Sequence, residues 1–312
     1  MSIRPAERTT SPGTGVSHVS GYDLHVKKAA GMRVFETIEE MRKARRNMLE
    51  PVGFVPTMGF LHEGHLSLVK QARKENATVV VSIFVNPTQF GQGEDFEDYP
   101  RDTERDLAML AELNTDIVFI PSADEIYPPG FNTWVEVEKL TDRLEGASRP
   151  THFRGVTTVV TKLFNIVRPT RAYFGQKDAQ QATVIRKMVS DLDMDLDVVV
   201  CPTIREPDGL AMSSRNTYLT PEERRAAVVL SQSLDLARKM WSGGERNAGL
   251  IRSRMREFIE KQPLGIIDYI SVADTQTLEE LDTITEKALV SLVVRFGKTR
   301  LLDNVVLGAD RL

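Results

Sequence analysis

Val79-Val80-Val81-Ser82-Ile83-Phe84-Val85 is almost wholly apolar and mostly β-branched, and it is about as long as a single strand. A strand with one wet face alternates polar with apolar residues; this run, extended to Ala77–Val85, does not. It predicts a strand in a sheet covered on both faces, the setting of parallel α/β folds. Shorter apolar runs read the same way: Met32–Phe35, Val52–Val55, Asp116–Pro121, Arg171–Gly175 and Leu196–Cys201. Helical patterns separate them. Thr37-Ile38-Glu39-Glu40 resembles a capping box opening a helix through Met48. Leu66, Val69 and Ala72 share a helical face, Asp95–Leu113 ends in a helix, Gly155–Val167 stops before Pro169, and Ala179–Leu192 follows. Strand-helix alternation of this kind predicts a parallel sheet with helices on both sides, binding ligands beyond the carboxyl ends of its strands.

Two segments fit less regularly. Trp134-Val135-Glu136-Val137 reads as an edge strand after the loop-rich stretch Tyr127–Thr133. After about Ile204 the rhythm changes to two successive helices (Pro221–Trp241 and Glu245–Lys261), a strand Ile266–Val272, a short helix near Thr277–Leu281, and strands Ala288–Arg295 and Arg300–Val306. The expected organisation is a loop-like extension over 1–31, an α/β unit over 32–203 and a smaller α+β unit over 204–312. The 312 residues, 41% hydrophobic and 27% charged, suffice for two such cores. A formal net charge of −4 argues against a general nucleic-acid binder. The single cysteine, Cys201, fits a reducing cytoplasm, and no apolar run nears the ~18 residues of a membrane span.

The chemistry concentrates at Pro56-Thr57-Met58-Gly59-Phe60-Leu61-His62-Glu63-Gly64-His65, between a strand and a helix. Gly59 and Gly64 permit a tight turn and close approach of a ligand. The following helix offers unpaired N–H groups and a partial positive charge that suit phosphate. His62 and His65, three apart, fall on one helical face and can donate hydrogen bonds to phosphoryl oxygens. A cap or packing role competes for each imidazole alone. A zinc-protease pair needs a spacing of four and a third ligand, which are lacking here.

Four other segments fall past strand ends or at a helix start. Phe84–Phe90 offers the amides of Asn86 and Gln89, although an ordinary Asn-Pro turn accounts equally for Asn86. Phe174–Gln181 brings Gly175, Gln176, Lys177 and Asp178; Lys177 suits phosphate, and Asp178 suits ribose hydroxyls or Mg²⁺, with an exposed Lys–Asp turn as the plain alternative. Met212-Ser213-Ser214-Arg215 places two hydroxyls before a guanidinium. His152-Phe153-Arg154-Gly155 offers more cations at a helix N-terminus.

In this order, from about Met32 to the C-terminus, these blocks resemble the pantothenate synthetase (pantoate–β-alanine ligase) family of the nucleotidyltransferase superfamily. That resemblance implies a Rossmann-like N-terminal domain, a smaller C-terminal lid domain, a cytoplasmic homodimer, and ATP-dependent joining of pantoate and β-alanine through a pantoyl-adenylate. AMP and pyrophosphate would leave. It implies ATP contacts over Met58, Gly59, Phe60, Leu61, His62, Glu63, Gly64 and His65, at Gly175–Asp178, at the Ile204 backbone, and at Met212–Arg215. His65, His62, Lys177 and Arg215 would carry the chemistry. Gln89 and Gln181 would bind pantoate, with Gln89 also near β-alanine. Asp106 stands where some members place a carboxylate near Mg²⁺, although its neighbour Arg105 replaces the second acid. Nothing functional transfers to residues 1–31.

Overall fold

Six short strands of alternately directed side chains build the first sheet of the computed structural model, which describes residues 31–312. The expected extension lies outside those residues apart from Gly31. The strands are β1 (Arg33–Phe35), β2 (Val52–Thr57), β3 (Thr78–Ile83), β4 (Ile117–Phe119), β5 (Arg171–Gly175) and β6 (Asp197–Cys201). They lie in the order β1-β4-β3-β2-β5-β6, and every pairing is parallel.

Alternation sends neighbouring residues to opposite cores. Phe54, Val80 and Phe174 join one cluster with residues of the helices Ile38–Arg45, His152–Val167 and Ala179–Asp191. Val55, Val79, Val81 and Tyr173 join another with the helices Glu63–Glu75 and Thr103–Glu112. The unbroken run of β3 is therefore apolar because both of its faces are dry.

The order of strands reverses between β2 and β5, so the chain leaves those two in opposite directions and opens a crevice at their carboxyl ends. Register brings four strand exits to one rim: Thr57 lies opposite Ile83, and Gly175 opposite Cys201. A close backbone approach seals one side of it. A methyl group on Gly155 would sit 2.7 Å from the Gln89 nitrogen, so only glycine lets this helix press against the segment that follows β3.

The second sheet is antiparallel, from β7 (Gly265–Ala273), β8 (Ala288–Phe296) and β9 (Thr299–Leu307) in that order. The helices Val229–Ser242 and Ala248–Ile259 pack their apolar residues against it in a third core. The α/β class with a smaller mixed unit is as expected.

Local corrections have physical causes. Trp134–Val137 is not a strand: Val135 N–H donates to Thr158 Oγ1 at 3.0 Å and Val135 C=O accepts from Thr157 Oγ1 at 2.6 Å, so helix side chains replace a ladder. The helix expected over 221–241 is two, Pro221–Ala226 and Val229–Ser242. The short helix expected near Thr277 is a turn. There Asp274 Oδ1 accepts from the N–H groups of Gln276 and Thr277, both at 2.8 Å.

Strand β9 ties the two sheets together. Asp303, fully buried, takes a bidentate pair from Arg205 at 2.6 and 2.9 Å, in the segment leaving β6. Arg300 forks onto Glu145 at 3.0 and 3.1 Å. Removing one partner of a buried pair strands the other charge. Asp303→Ala is therefore expected to lower unfolding stability by roughly 3 kcal/mol, the low end of the range because Arg205 keeps some water. Urea unfolding of the two proteins measures the difference.

Candidate active site

After Thr57 the backbone turns through Gly59 (φ 84°) and Phe60 (φ 49°), both left-handed. The Phe60 conformation is unfavourable for a side-chain-bearing residue. It is held by the Asp106 carboxylate, which accepts from Phe60 N–H and Leu61 N–H, each at 2.7 Å. Arg105 adds a hydrogen bond to Leu61 C=O at 3.1 Å and lies 5.3 Å from the centre of the Phe60 ring. Gly59 is required as well, because a Cβ there would meet Ile83 at 2.9 Å and Asp106 at 3.1 Å.

His62 then caps the helix Glu63–Glu75. Its Nδ1 accepts from Gly64 N–H at 3.1 Å, and its own N–H donates to His65 Nδ1 at 3.4 Å. The two rings lie 4.1 Å apart. An Nδ1 that accepts a backbone hydrogen leaves the proton on Nε2, so both imidazoles present an Nε2–H. Burial pushes the His62 pKa down to about 4 and the His65 pKa to about 3, helped by Lys177 at His62 and by His62 at His65. They are neutral donors near pH 7, not cations.

The strand exits deliver the rest to a hollow of about 190 Å³ lined by Met58, His62, Gly64 and His65. From the segment after β3 comes Gln89, whose amide donates to Met58 Sδ at 3.0 Å and accepts from Asn86 at 3.1 Å. Gly175, Lys177, Asp178 and Gln181 enter after β5, and Ile204 after β6. Among the described residues the Gln181 side chain has no protein hydrogen-bond partner. Its neighbour Gln180 is spent on Leu140 C=O, Arg143 C=O and Glu145 N–H. Met212, Ser213, Ser214 and Arg215 complete the wall.

Asn304 of β9 donates to Gln176 C=O at 2.9 Å and Lys177 C=O at 2.8 Å, which fixes the lysine turn from the other sheet. The cations are already partnered. Lys177 lies 3.3 Å from Asp178, and Arg215 forks onto Asp95 at 2.9 and 3.0 Å. Burial raises the Asp178 pKa, but Lys177 and Arg215 outweigh it and the carboxyl stays below its ordinary range.

Five of the residues proposed for ATP do not line this hollow. Gly59 and Phe60 shape the turn, Leu61 is core, Glu63 points outward to Lys70 at 2.9 Å, and the Gln176 side chain is buried. Asp106 is 1% exposed and each of its oxygens accepts from the turn, so its observed work is to hold the backbone. Among the described residues no group of three or more His, Cys, Asp or Glu could cage an ion. His152 is also not a cation: burial and Arg149 push its pKa down to about 4, and its Nδ1 meets Gln89 C=O at 2.9 Å. Arg154 turns away over the Trp134 ring, 5.0 Å from its centre.

Sequence reasoning did not single out Asp95, Tyr99 or Arg149, which also border the site. Asp95 and Arg149 each form an ion pair with a residue more than fifty positions away, and no local spacing announces such a pair. Cys201 is buried, with its thiol pushed up to about 11, and offers no nucleophile.

These environments predict a pH response. Imidazoles held neutral bind fewer protons folded than unfolded, so their contribution is complete above about pH 6.5 and is lost as pH falls toward 4. Each should remove up to roughly 1.4 kcal/mol per pH unit in that window. Imidazole nitrogen NMR is expected to show His62 and His65 as Nε2–H tautomers and His152 as Nδ1–H. None of the three should titrate between about pH 5.5 and 8.

The family model described as pantoate-beta-alanine ligase matches residues 33–306. The chain is 60% identical over 277 residues to the pantothenate synthetase of Herpetosiphon aurantiacus, covering 88% of this chain and 100% of that one. It is 58% identical over 280 residues to the Thermotoga neapolitana pantothenate synthetase, covering 89% and 100%. Among solved structures, pantothenate synthetase from Thermus thermophilus superposes with a TM-score of 0.84 at 48% identity, covering 88% of this chain and 99% of that one. Pantoate-beta-alanine ligase from Francisella tularensis, solved as a complex with beta-gamma ATP and beta-alanine, superposes with a TM-score of 0.74 at 35% identity, covering 88% and 97%. With a matched family model spanning nearly all the described residues and relatives this similar along their whole length, the chain belongs to the pantoate–β-alanine ligase family.

Proposed function

We infer that this protein joins pantoate to β-alanine with ATP, forming pantothenate, AMP and pyrophosphate through a pantoyl-adenylate. The observation that carries this reading is one hollow bordered by both signature imidazoles, Lys177, Gln89, Gln181 and the Ser213–Arg215 wall, at the crevice where the parallel sheet reverses.

Pantoate's carboxylate is ionised at neutral pH, so adenylation needs no base. It needs one carboxylate oxygen in line with the α-phosphorus. The new O–P bond forms as the bond to pyrophosphate breaks, and negative charge gathers on the phosphoryl oxygens. Neutral Nε2–H donors at His62 and His65 suit those oxygens, and Lys177 and Arg215 suit the departing triphosphate. ATP entry then trades the Asp95 and Asp178 carboxylates for phosphates around cations already in place. Gln89 and Gln181 are read as the pantoate amides, with β-alanine near Gln89. Ile204, Gly175 and Met212 are read as nucleotide contacts. Asp178 is the carboxylate that would hold a Mg²⁺ ion, which would supply counter-charge to the ATP phosphates.

A second hollow of about 810 Å³ adjoins the first and is walled in part by the β8–β9 turn, at Gly297, Lys298 and Thr299. A smaller C-terminal unit over 204–312 closing on the 32–203 unit would shield the adenylate from water. Among the described residues no helix is long and apolar enough to cross a membrane. We take the enzyme to be a cytoplasmic homodimer.

The deciding assay is pantoate-dependent exchange of labelled pyrophosphate into ATP without β-alanine, followed by pantothenate formation when β-alanine is added. Exchange without pantothenate would sink the ligase reading. His65→Ala is expected to keep the fold and slow exchange by roughly 10²–10³-fold. Wild-type exchange in that variant would remove His65 from the chemistry.

A further inference from the structure

The second half-reaction sets a problem that the residues named so far do not solve. β-Alanine arrives as an ammonium, which has no lone pair, and must lose a proton before its nitrogen can attack the pantoyl carbonyl. His62 and His65 cannot take it, since each turns a protonated Nε2 outward from a committed Nδ1.

His152 is arranged the opposite way. Its Nδ1 lies 2.9 Å from the carbonyl oxygen of Gln89, which can only accept, so Nδ1 carries the hydrogen and Nε2 is left with its lone pair. Among the described residues no protein partner takes that lone pair. His152 borders both hollows, as do Lys177, Asp178 and Gln181, so it stands where the two meet. The geometry points to His152 Nε2 as the acceptor that orients the β-alanine amine and takes its first proton, a role resting on the ligase reading above.

The step balances. One ammonium proton moves to Nε2, giving imidazolium and a neutral amine. The amine lone pair forms the C–N bond, and the acyl C–O bond breaks with its electrons on the AMP phosphate. The second nitrogen proton leaves to solvent, and His152 later returns the first. The charged groups acting on the ring are Arg149 on the preceding turn, Glu94 paired to it, and Asp178 across the cleft. Burial and Arg149 keep the free imidazole unprotonated at neutral pH. The same surroundings disfavour an incoming ammonium, and the bound adenylate's negative phosphate favours the imidazolium.

Two substitutions divide the ring's functions. His152→Asn keeps a donor near the Nδ1 position, facing Gln89, but has no atom at Nε2; His152→Gln does the reverse. The expected result for His152→Asn is pyrophosphate exchange within a few-fold of wild type. Single-turnover amide formation from preformed adenylate should fall about 10²-fold or more and recover as the pH is raised. Hydroxylamine, already unprotonated at neutral pH, should capture the adenylate in His152→Asn as fast as in wild type. His152→Gln should retain more amide formation than His152→Asn. Wild-type amide formation in His152→Asn overturns the proposal, as does an equal loss of exchange, amide formation and hydroxylamine capture, which would make the ring merely structural. Absence of exchange in the wild-type protein would instead undo the ligase reading itself.

Discussion

Two backbone N–H groups, from Phe60 and Leu61, converge on the carboxylate of Asp106, and the orientation of everything downstream depends on that grip. The turn it holds includes a left-handed phenylalanine, a conformation that costs roughly 1–2 kcal/mol. Hydrogen bonds to a charged acceptor contribute about 1.5–3 kcal/mol each, so two of them exceed that strain. Once the turn is set, the helix at Glu63 starts where His62 can cap it, and the two imidazoles have no freedom left to choose a tautomer. A carboxylate buried beneath the turn thus dictates which nitrogen faces the crevice.

A division between neutral and charged groups follows. The histidines are stripped of charge by burial, while the positive charge the proposed reaction needs sits on Lys177 and Arg215. Both are held by nearby carboxylates, so the cleft is not strongly cationic before nucleotide arrives. Exchanging one anion for another asks less reorganisation than assembling loose cations around a phosphate, which is how prearranged electrostatics lower a barrier.

Much of this could be read from the chain. β3 declared a doubly covered sheet by its lack of alternation, and the strand exits declared a shared rim because parallel strands end on the same side. Gln89, Lys177 and Ser213–Arg215 were legible as segments because turn chemistry is local. What stayed hidden depends on distance. Asp106, which the resemblance places near Mg²⁺, accepts from N–H groups some forty-five positions earlier, a partnership that no local spacing announces. His152 looked like a cation because sequence carries no burial. The strand expected at Trp134 failed because threonines from a later helix satisfy its backbone, and periodicity cannot register a partner of that kind.

Asn304 spans from the smaller sheet to the carbonyls on either side of the Gln176–Lys177 bond. The lysine proposed to serve the nucleotide thus takes its aim from a strand more than a hundred residues further along. Halves exchanged between distant relatives would each bury a respectable core and still misdirect that ammonium group. On the proposed reading the two sheets serve one catalytic centre, and the seam between them passes through it.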